Sequence, residues 1–350
     1  MGTPIGKFKM RAAIYNPYLD TLGGGERYTM GVASALVAKN YRVDVEWKDA
    51  SIKEKLEKRF GIDLSKINFI EGVERGDGYD VCFWLSDGSI PILRARKNFL
   101  HFQVPFHNTN GKTLLNRMKF FRIREVICNS YFTKKFIDKE YGVDSIVIYP
   151  PVDVEKIKPK RKENLIVSIG RFSQLKQAKR QDILIKAFKR FCDSGFSEWK
   201  LILAGGVEVG VSDFVKKLRK SSMGYPIKII ESPSFNELKD LYGKARLFWS
   251  ASGFGVNEKK EPEKLEHFGI SVVEAMAAGA VPIVFSAGGH KEIIANGENG
   301  FLWTDMRNLL RKTKKVIQGK GIFSKVSKKA KESSRIYEYE RFEKEFQDLL

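Results

Sequence analysis

The stretch 266–279, EHFGISVVEAMAAG, constrains this chain more than any other part of it. It sets one carboxylate, Glu266, ahead of a glycine, and a second, Glu274, inside an apolar run. Residues eight apart on a helix are a little over two turns apart, roughly 12 Å, and share a face. Only the second half reads as helix. Gly269 loosens the backbone, Ser271 is the expected N-cap, and Glu274 then falls at N3, a capping-box arrangement. Glu266 is expected in the loop before the helix. The open N–H groups of the first helical turn point into the same space, which suits a phosphate or a sugar oxygen. A carboxylate in the loop and another on the helix can grip two hydroxyl-bearing parts of an anionic ligand. A simple helix cap would also account for Glu274, and spacing alone does not choose between the two.

A chain of 350 residues is long enough for two domains. No run of about 18 apolar residues appears, and residues 1–11 lack an apolar core, so neither a membrane span nor a signal peptide is expected. Cys82, Cys128 and Cys192 are scattered among apolar residues and read as free core thiols of a reducing compartment, with no zinc-like Cys/His spacing. The net charge of +20 leaves three classes of partner: nucleic acid, an anionic membrane surface, or small anionic substrates. No nucleic-acid module accompanies the charge, which makes nucleic acid the least favoured. A generally basic, solvated surface also accounts for the charge. The expectation is a cytoplasmic protein, with the inner face of the cell membrane as a candidate peripheral site.

Residues 10–15 read as a buried first strand, followed by Asn16-Pro17-Tyr18, the loop Gly23-Gly24-Gly25-Glu26-Arg27 and a helical pattern. Strand, glycine loop and helix form the phosphate-approach unit of doubly wound sheets, and glycines let backbone N–H groups close on an anion. Tight turns use glycines too. The pattern is neither Walker A nor GxGxxG, which disfavours nucleotide triphosphatases and dehydrogenases. Further strands are expected at 41–47, 79–84, 98–104, 126–128 and 145–149, and this alternation with helices argues a parallel sheet. His101 lies near a strand end before Pro105, with His107 as its rival. The segment 113–125, TLLNRMKFFRIRE, mixes six large apolar residues with four cations. It fits an interfacial membrane helix, and equally a core helix with a solvated basic face.

The Pro- and Lys-rich segment 150–164 marks a linker. The second half opens on a strand running into Gly170-Arg171, which puts a planar guanidinium, suited to phosphate, at a sheet edge. Lys179 precedes a helix start where cations oppose the macrodipole, a slight argument for a ligand. Strands at 200–204, 227–231, 247–250 and 281–285 follow, with a helix at 237–245, a charged loop at 253–264 and a turn at Gly288-Gly289.

Glu266-His267-Phe268-Gly269-Ile270, then EAMAAG, then VPIV at 281–284, Gly288-Gly289 and Glu292 together resemble the donor-site signature of retaining GT-B glycosyltransferases of family 4. The likeness runs from Asn16 to about Glu292. With Asn-Pro-Tyr, Gly-Gly-Gly-Glu-Arg and His267 after Glu266, it is similar to the α-1,2-mannosyltransferase branch that extends lipid-linked oligosaccharides, and to its prokaryotic relatives. The resemblance implies an α/β chain of GT-B fold: two doubly wound, Rossmann-like domains facing across a cleft. Residues 10–155 would be the acceptor side, 156–332 the nucleotide-sugar side, and 333–350 a helix returning to the first domain. It implies Glu266 beside the transferred sugar, Glu274 on the ribose, and Arg171 with a lysine on the pyrophosphate. Lys176 matches the family's usual spacing; Lys179 matches the following segment and is preferred. Catalytic roles fall to Glu266, His101, Arg171 and Lys179. Donor contacts fall to Gly24, Gly25, Lys176, Ser232, His267, Phe268, Gly269 and Ile270 besides Glu274. The implied reaction moves a hexose from a nucleotide sugar, GDP-mannose or a UDP-sugar, to a glycan or lipid-linked acceptor, with no cofactor and no metal. A phosphorylase of the same fold, and a basic membrane- or nucleic-acid-binding protein with a degenerate site, are the competing classes.

Overall fold

The computed structural model describes residues 10–174, 177–208 and 210–350, and these form two compact units. The first holds the described residues up to Pro151 together with Tyr339–Leu350; the second is Val152–Glu338. The chain re-enters the first unit at Tyr339 rather than at 333. The expected single terminal helix is two, because the helix Ile322–Ser334 and the turn Arg335–Tyr337 still pack with the second unit.

Seven parallel strands make the sheet of the first unit: β1 Met10–Tyr15, β2 Tyr41–Glu46, β3 Ile67–Ile70, β4 Val81–Leu85, β5 Lys97–Phe102, β6 Glu125–Cys128 and β7 Ile146–Val147. Their order is β3-β2-β1-β4-β5-β6-β7. The central strands are apolar along their length, as strands covered on both faces must be. The helix Gly24–Ala38 covers one face, and the terminal helix Tyr339–Gln347 lies on it. Phe342 meets Tyr28 edge-on at 5.1 Å between ring centroids, and Phe346 reaches Phe83 at 5.9 Å. Gly31 permits the approach: a Cβ there would stand 2.8 Å from Pro151 and 3.1 Å from Phe342. Tyr339 Oη donates to the Gly31 carbonyl at 3.2 Å and Gln347 Nε2 to that of Ala35 at 3.0 Å, so the amphipathic segment is tied by polar as well as apolar contacts.

The second unit repeats the plan with six parallel strands: β8 Glu163–Ile169, β9 Lys200–Gly205, β10 Ile227–Glu231, β11 Ala245–Ser250, β12 Val281–Phe285 and β13 Phe301–Trp303, in the order β10-β9-β8-β11-β12-β13. The helix Gln181–Asp193 turns Leu184, Ala187, Phe188 and Phe191 inward at helical spacing, onto Trp199 and Trp249. The leucine and the two phenylalanines each contribute about 1.5–3 kcal/mol when fully buried. In both sheets the winding reverses between two neighbours, β1 and β4 in the first, β8 and β11 in the second. The carboxyl end of such a pair is where doubly wound sheets bind ligands.

Candidate functional site

The loops leaving β8 and β11 carry the charged residues of the second unit. β8 ends at Ile169, so Gly170 and Arg171 stand at the carboxyl edge. The edge is tight: a Cβ on Gly205, at the end of β9, would lie 2.1 Å from the Gly170 carbonyl oxygen, and one on Gly170 would lie 2.8 Å from Cγ of Lys179. Arg171 is exposed, and among the described residues its guanidinium has no hydrogen-bond or ion-pair partner. Its carbonyl is fixed by Gln181 Nε2 at 3.1 Å. The helix that follows begins at Gln181, with Arg180 before it in the left-handed region and forked onto Asp182. That turn leaves Lys179 at the sheet edge.

Lys179 Nζ donates to Glu266 Oε2 at 2.7 Å, with the two side chains only 20% and 13% exposed. Burial alone would raise the Glu266 pKa, but Lys179, then His290 and His267, outweigh it and hold the carboxyl down at about 2. Glu266 is thus a carboxylate at any physiological pH. Its backbone is gripped by the Gly288-Gly289 turn. Gly289 N–H donates to the Glu266 carbonyl at 2.7 Å, and a Cβ on Gly288 would stand 2.3 Å from that same oxygen. The paired glycines are required by this close crossing of two backbones. The charged loop after β11 closes the arrangement from outside: Glu258 accepts from Lys291 Nζ at 2.7 Å and from Gly288 N–H at 3.3 Å.

Glu274 is not a capping residue. The helix runs Ile270–Ala277, and its N-cap is Gly269 at φ 120°, a conformation open to glycine and not to the expected Ser271. Glu274 therefore falls in the helix body, past the first turn. It is buried, and Tyr242 Oη donates to its Oε2 at 2.8 Å. The N–H groups of Ile270 and Ser271 precede the first intrahelical bonds and stay open at the helix start. Phe268 is a packing residue, edge-on to Tyr337 at 5.2 Å. His267 is buried between Gln177, whose Nε2 lies 2.6 Å from Nδ1, and the Glu263 carbonyl at 3.2 Å from Nε2. Both ring nitrogens of His267 are thus engaged, which fixes the orientation of the ring.

Of the other residues singled out from sequence, Ser232 lies just beyond β10, exposed and at φ 48°, with its N–H already given to the Gly205 carbonyl at 2.7 Å. A contact through that N–H is therefore closed, leaving its carbonyl and hydroxyl. Lys176 lies outside the described residues. Gly24, Gly25 and His101 belong to the first unit. Gly24 and Gly25 form the first turn of their helix, where Glu26 accepts from Gly23 N–H at 2.7 Å and Thr21 Oγ1 at 2.8 Å, and Gln103 Nε2 donates to the Gly25 carbonyl at 3.1 Å. His101 sits on β5 with no solvent exposure, stacked on Tyr28 at 4.1 Å, its Nδ1–H donating to the Ile127 carbonyl at 3.0 Å. Burial pushes its pKa down to about 3, against a smaller opposing effect of that hydrogen bond, so the ring is neutral. It is packed within the first unit, and its Nε2 lacks a partner among the described residues. His107, the rival, is half-buried.

Sequence reading missed Gln177, Tyr242 and His290. The last is fully buried, with Nδ1–H donating to the Phe285 carbonyl at 2.8 Å, and Nε2 lacks a partner among the described residues. Burial lowers its pKa while Glu266 pulls it up. The signal was available: a histidine directly after a Gly-Gly turn that crosses the Glu266 backbone. Nothing local announces Tyr242, which is brought to Glu274 only by tertiary packing. Among the described residues no group of three His, Cys, Asp or Glu side chains could hold a metal ion.

Residues 151–335 match the family described as glycosyl transferases group 1. The chain is 27% identical over 228 residues to a GDP-Man:Man(3)GlcNAc(2)-PP-Dol alpha-1,2-mannosyltransferase of Dictyostelium discoideum, a match covering 59% of this chain and 42% of that protein. It is 30% identical over 223 residues to the O-antigen chain mannosyltransferase RfbU of Salmonella typhimurium, covering 60% of this chain and 57% of the relative. The chain thus spans about half the length of these two relatives. An uncharacterized glycosyltransferase of Methanocaldococcus jannaschii is 26% identical over 264 residues, 73% of this chain and 69% of its own. Among solved structures, Anabaena HepE in complex with UDP and glucose superposes with a TM-score of 0.74 at 18% identity, over 97% of this chain and 98% of HepE. A glycosyltransferase from Rickettsia africae gives 0.75 at 16% identity, over 98% and 99%. These likenesses carry the fold, two Rossmann-like domains of GT-B type. With the family match extending over more than half of its length, the chain belongs to the group 1 glycosyltransferases.

Proposed function

We propose that this glycosyltransferase moves a hexose, mannose from GDP-mannose, to a glycan or lipid-linked acceptor at the inner face of the cell membrane, with retention of configuration at the anomeric carbon. One observation carries the reading of the site: two cations, Arg171 and Lys179, and two carboxylates, Glu266 and Glu274, are all contributed by the β8 and β11 loops and the helix Ile270–Ala277 that continues from them. A nucleoside diphosphate sugar needs that combination, cations for the diphosphate and carboxylates for hydroxyls.

In this reading Arg171 and Lys179 meet the charge that grows on the diphosphate as its bond to the anomeric carbon breaks, the electrostatic contribution that dominates many such steps. The acceptor oxygen attacks from the face the diphosphate leaves, and its proton passes to the departing diphosphate oxygen. Glu266, fixed as an anion by Lys179, orients sugar hydroxyls and is not assigned as a nucleophile. Glu274, held by Tyr242 through Oε2, accepts from the ribose hydroxyls. The two side-chain cations neutralise what a divalent metal would otherwise neutralise, so the reaction runs without metal. Mannose is supported by the mannosyltransferase names of the relatives at 27–30% identity and guanine by the GDP-Man in the name of the Dictyostelium discoideum relative; a UDP-hexose is the alternative donor.

The test is turnover and donor hydrolysis across GDP-mannose, UDP-glucose and UDP-N-acetylglucosamine, with and without EDTA. GDP-mannose turnover that survives EDTA is expected. Turnover confined to UDP-sugars would replace the donor, and dependence on added manganese would replace the metal-free mechanism. If no nucleotide sugar is turned over and no nucleoside diphosphate shifts the melting temperature, the site is degenerate and the reading fails.

A further inference from the structure

The segment 113–125 left two readings open, and the structure removes one. Its helix, Leu114–Phe120, contains no buried residue, so it is not a core helix. Leu114, Leu115, Met118 and Phe121 are 75%, 60%, 59% and 88% exposed. They fall at positions i, i+1, i+4 and i+7, the spacing of one helical stripe. A surface helix of a soluble domain turns such a stripe inward; this one turns it outward.

The outward stripe is held in place. Glu140 accepts from the N–H groups of Asn108, Thr109 and Gly111 at 3.0, 2.8 and 3.2 Å, pinning the loop before the helix. The Thr113 side chain caps the helix by accepting from Asn116 N–H at 3.2 Å. Phe120, on the opposite side, packs edge-on against Tyr141 at 6.2 Å between centroids. The exposed face is therefore the consequence of a defined fold, not of a helix that has failed to dock.

Along the chain, the charge on either side of the stripe is of one sign. Between Asp87 and Glu125 the chain has no acidic residue. Lys112, Arg117, Lys119, Arg122 and Arg124 flank the stripe, and none forms an ion pair among the described residues; Arg122 and Arg124 donate only to the backbone carbonyls of Leu93 and Leu349. An apolar stripe ringed by uncompensated cations complements a surface that offers hydrocarbon beneath a layer of negative charge. A protein partner would have to present an apolar groove with an acidic rim; a bilayer containing anionic lipid presents both everywhere.

We propose that the helix Leu114–Phe120, with Phe121 and its flanking cations, docks the first unit onto anionic lipid bilayers, the four apolar side chains entering the headgroup boundary and the cations resting among the lipid charges. The helix is too short to span and lies along the surface, consistent with the finding that no helix among the described residues is long and apolar enough to cross a membrane. The proposal rests on the first unit alone and does not depend on which donor the second unit binds.

Co-sedimentation with vesicles tests it. The full chain should pellet with equimolar phosphatidylcholine and phosphatidylglycerol, and should bind phosphatidylcholine alone far more weakly. Each cation near an anionic surface is worth about 1 kcal/mol, about fivefold in binding, so Arg117→Glu with Lys119→Glu should lower partitioning by tenfold or more and raised salt should do the same. Leu114→Gln, Leu115→Gln, Met118→Gln and Phe121→Gln together should also abolish pelleting while GDP-mannose hydrolysis in solution stays unchanged, since these side chains support no core. In Phe121→Trp the indole emission should shift to the blue on anionic vesicles. Failure of the wild type to pellet, equal pelleting of the Gln variant, or an unshifted indole would each overturn the proposal. A wild-type dimer in sedimentation velocity that the Gln variant converts to monomer would assign the stripe to self-association and overturn it as well. Donor hydrolysis is read separately, so loss of the enzymatic reading and loss of this one are distinguishable.

Discussion

At the reversal of the first sheet, Glu26 folds back onto Gly23 and Thr21, and Gln103 closes over Gly25. At the reversal of the second, Lys179 and Glu266 pair while Arg171 stands without a partner among the described residues. The two edges have the same winding and the same strand-loop-helix build, yet at the first a carboxylate is spent on its own turn and at the second an ion pair stands beside a guanidinium without a partner among the described residues. An edge with an unpaired guanidinium and a half-buried ion pair is costly to maintain for folding alone, because burying charges is repaid only with good geometry. The proposed placement of the donor's anionic part at the second edge rests on this contrast.

The sharpest way to break that contrast is to unpair Glu266. Lys179→Met leaves a shielded carboxylate facing only His290 and His267, and should destabilise the second unit by about 3 kcal/mol. In the wild type the carboxyl pKa is depressed from 4.5 to about 2. The pair's contribution is thus present above pH 4.5 and is lost as pH falls through 4.5 toward 2. Melting temperatures of wild type and variant should therefore converge as the pH is lowered through that window. A gap that stays constant with pH would show that Lys179 stabilises by packing and not by charge. Lys179→Met with Glu266→Gln should recover stability without recovering turnover.

Arg171→Ala separates catalysis from folding. An exposed side chain with no partner among the described residues carries little stability, so the melting temperature should hold within a degree or two. Turnover should fall by about 10²-fold or more if the guanidinium meets charge that develops in the transition state. Unaltered turnover would remove Arg171 from the site.

Most strands of the two sheets and their parallel pairing were legible, because parallel strands buried on both faces leave continuous apolar runs such as LIVSI at 165–169 and LILAG at 201–205; the order of the strands was not. β3 and β13 were not, since four and three residues are too short to show a period. The candidate site was half legible. Arg171, Lys179 and Glu266 are announced by residue type and by where strands end. The capping-box reading of Glu274 failed because a serine near a helix start gives a local signal, whereas the actual start is set by Gly269 at φ 120°, a backbone state that no neighbouring residue type announces. His101 shows the same limit: its position at a strand end is readable, but the burial beneath Tyr28 depends on where the first helix settles.

The smallest of these effects concerns Glu274. A carboxylate that accepts from ribose hydroxyls binds ground and transition states alike, so its loss should appear in KM and not in kcat. Tyr242 Oη already donates to one oxygen, Oε2, at 2.8 Å. In Glu274→Gln the amide oxygen can keep that bond, so the buried tyrosine stays satisfied and the melting temperature should change little. The other position becomes an NH₂ group, which cannot accept from a hydroxyl, and a charge-assisted bond is lost. A decrease in GDP affinity of roughly 1–2 kcal/mol follows, about five- to thirtyfold, with kcat nearly unchanged. If Glu274 serves only to hold Tyr242 in place, the variant should instead bind GDP as wild type does, and Tyr242→Phe should destabilise the fold without touching affinity. Calorimetric titration of GDP with melts of both variants tells these apart. Undiminished affinity in a folded Glu274→Gln protein would leave the second unit with cations for a diphosphate but no carboxylate for a ribose, and the contrast between the two edges would then rest on phosphate recognition alone.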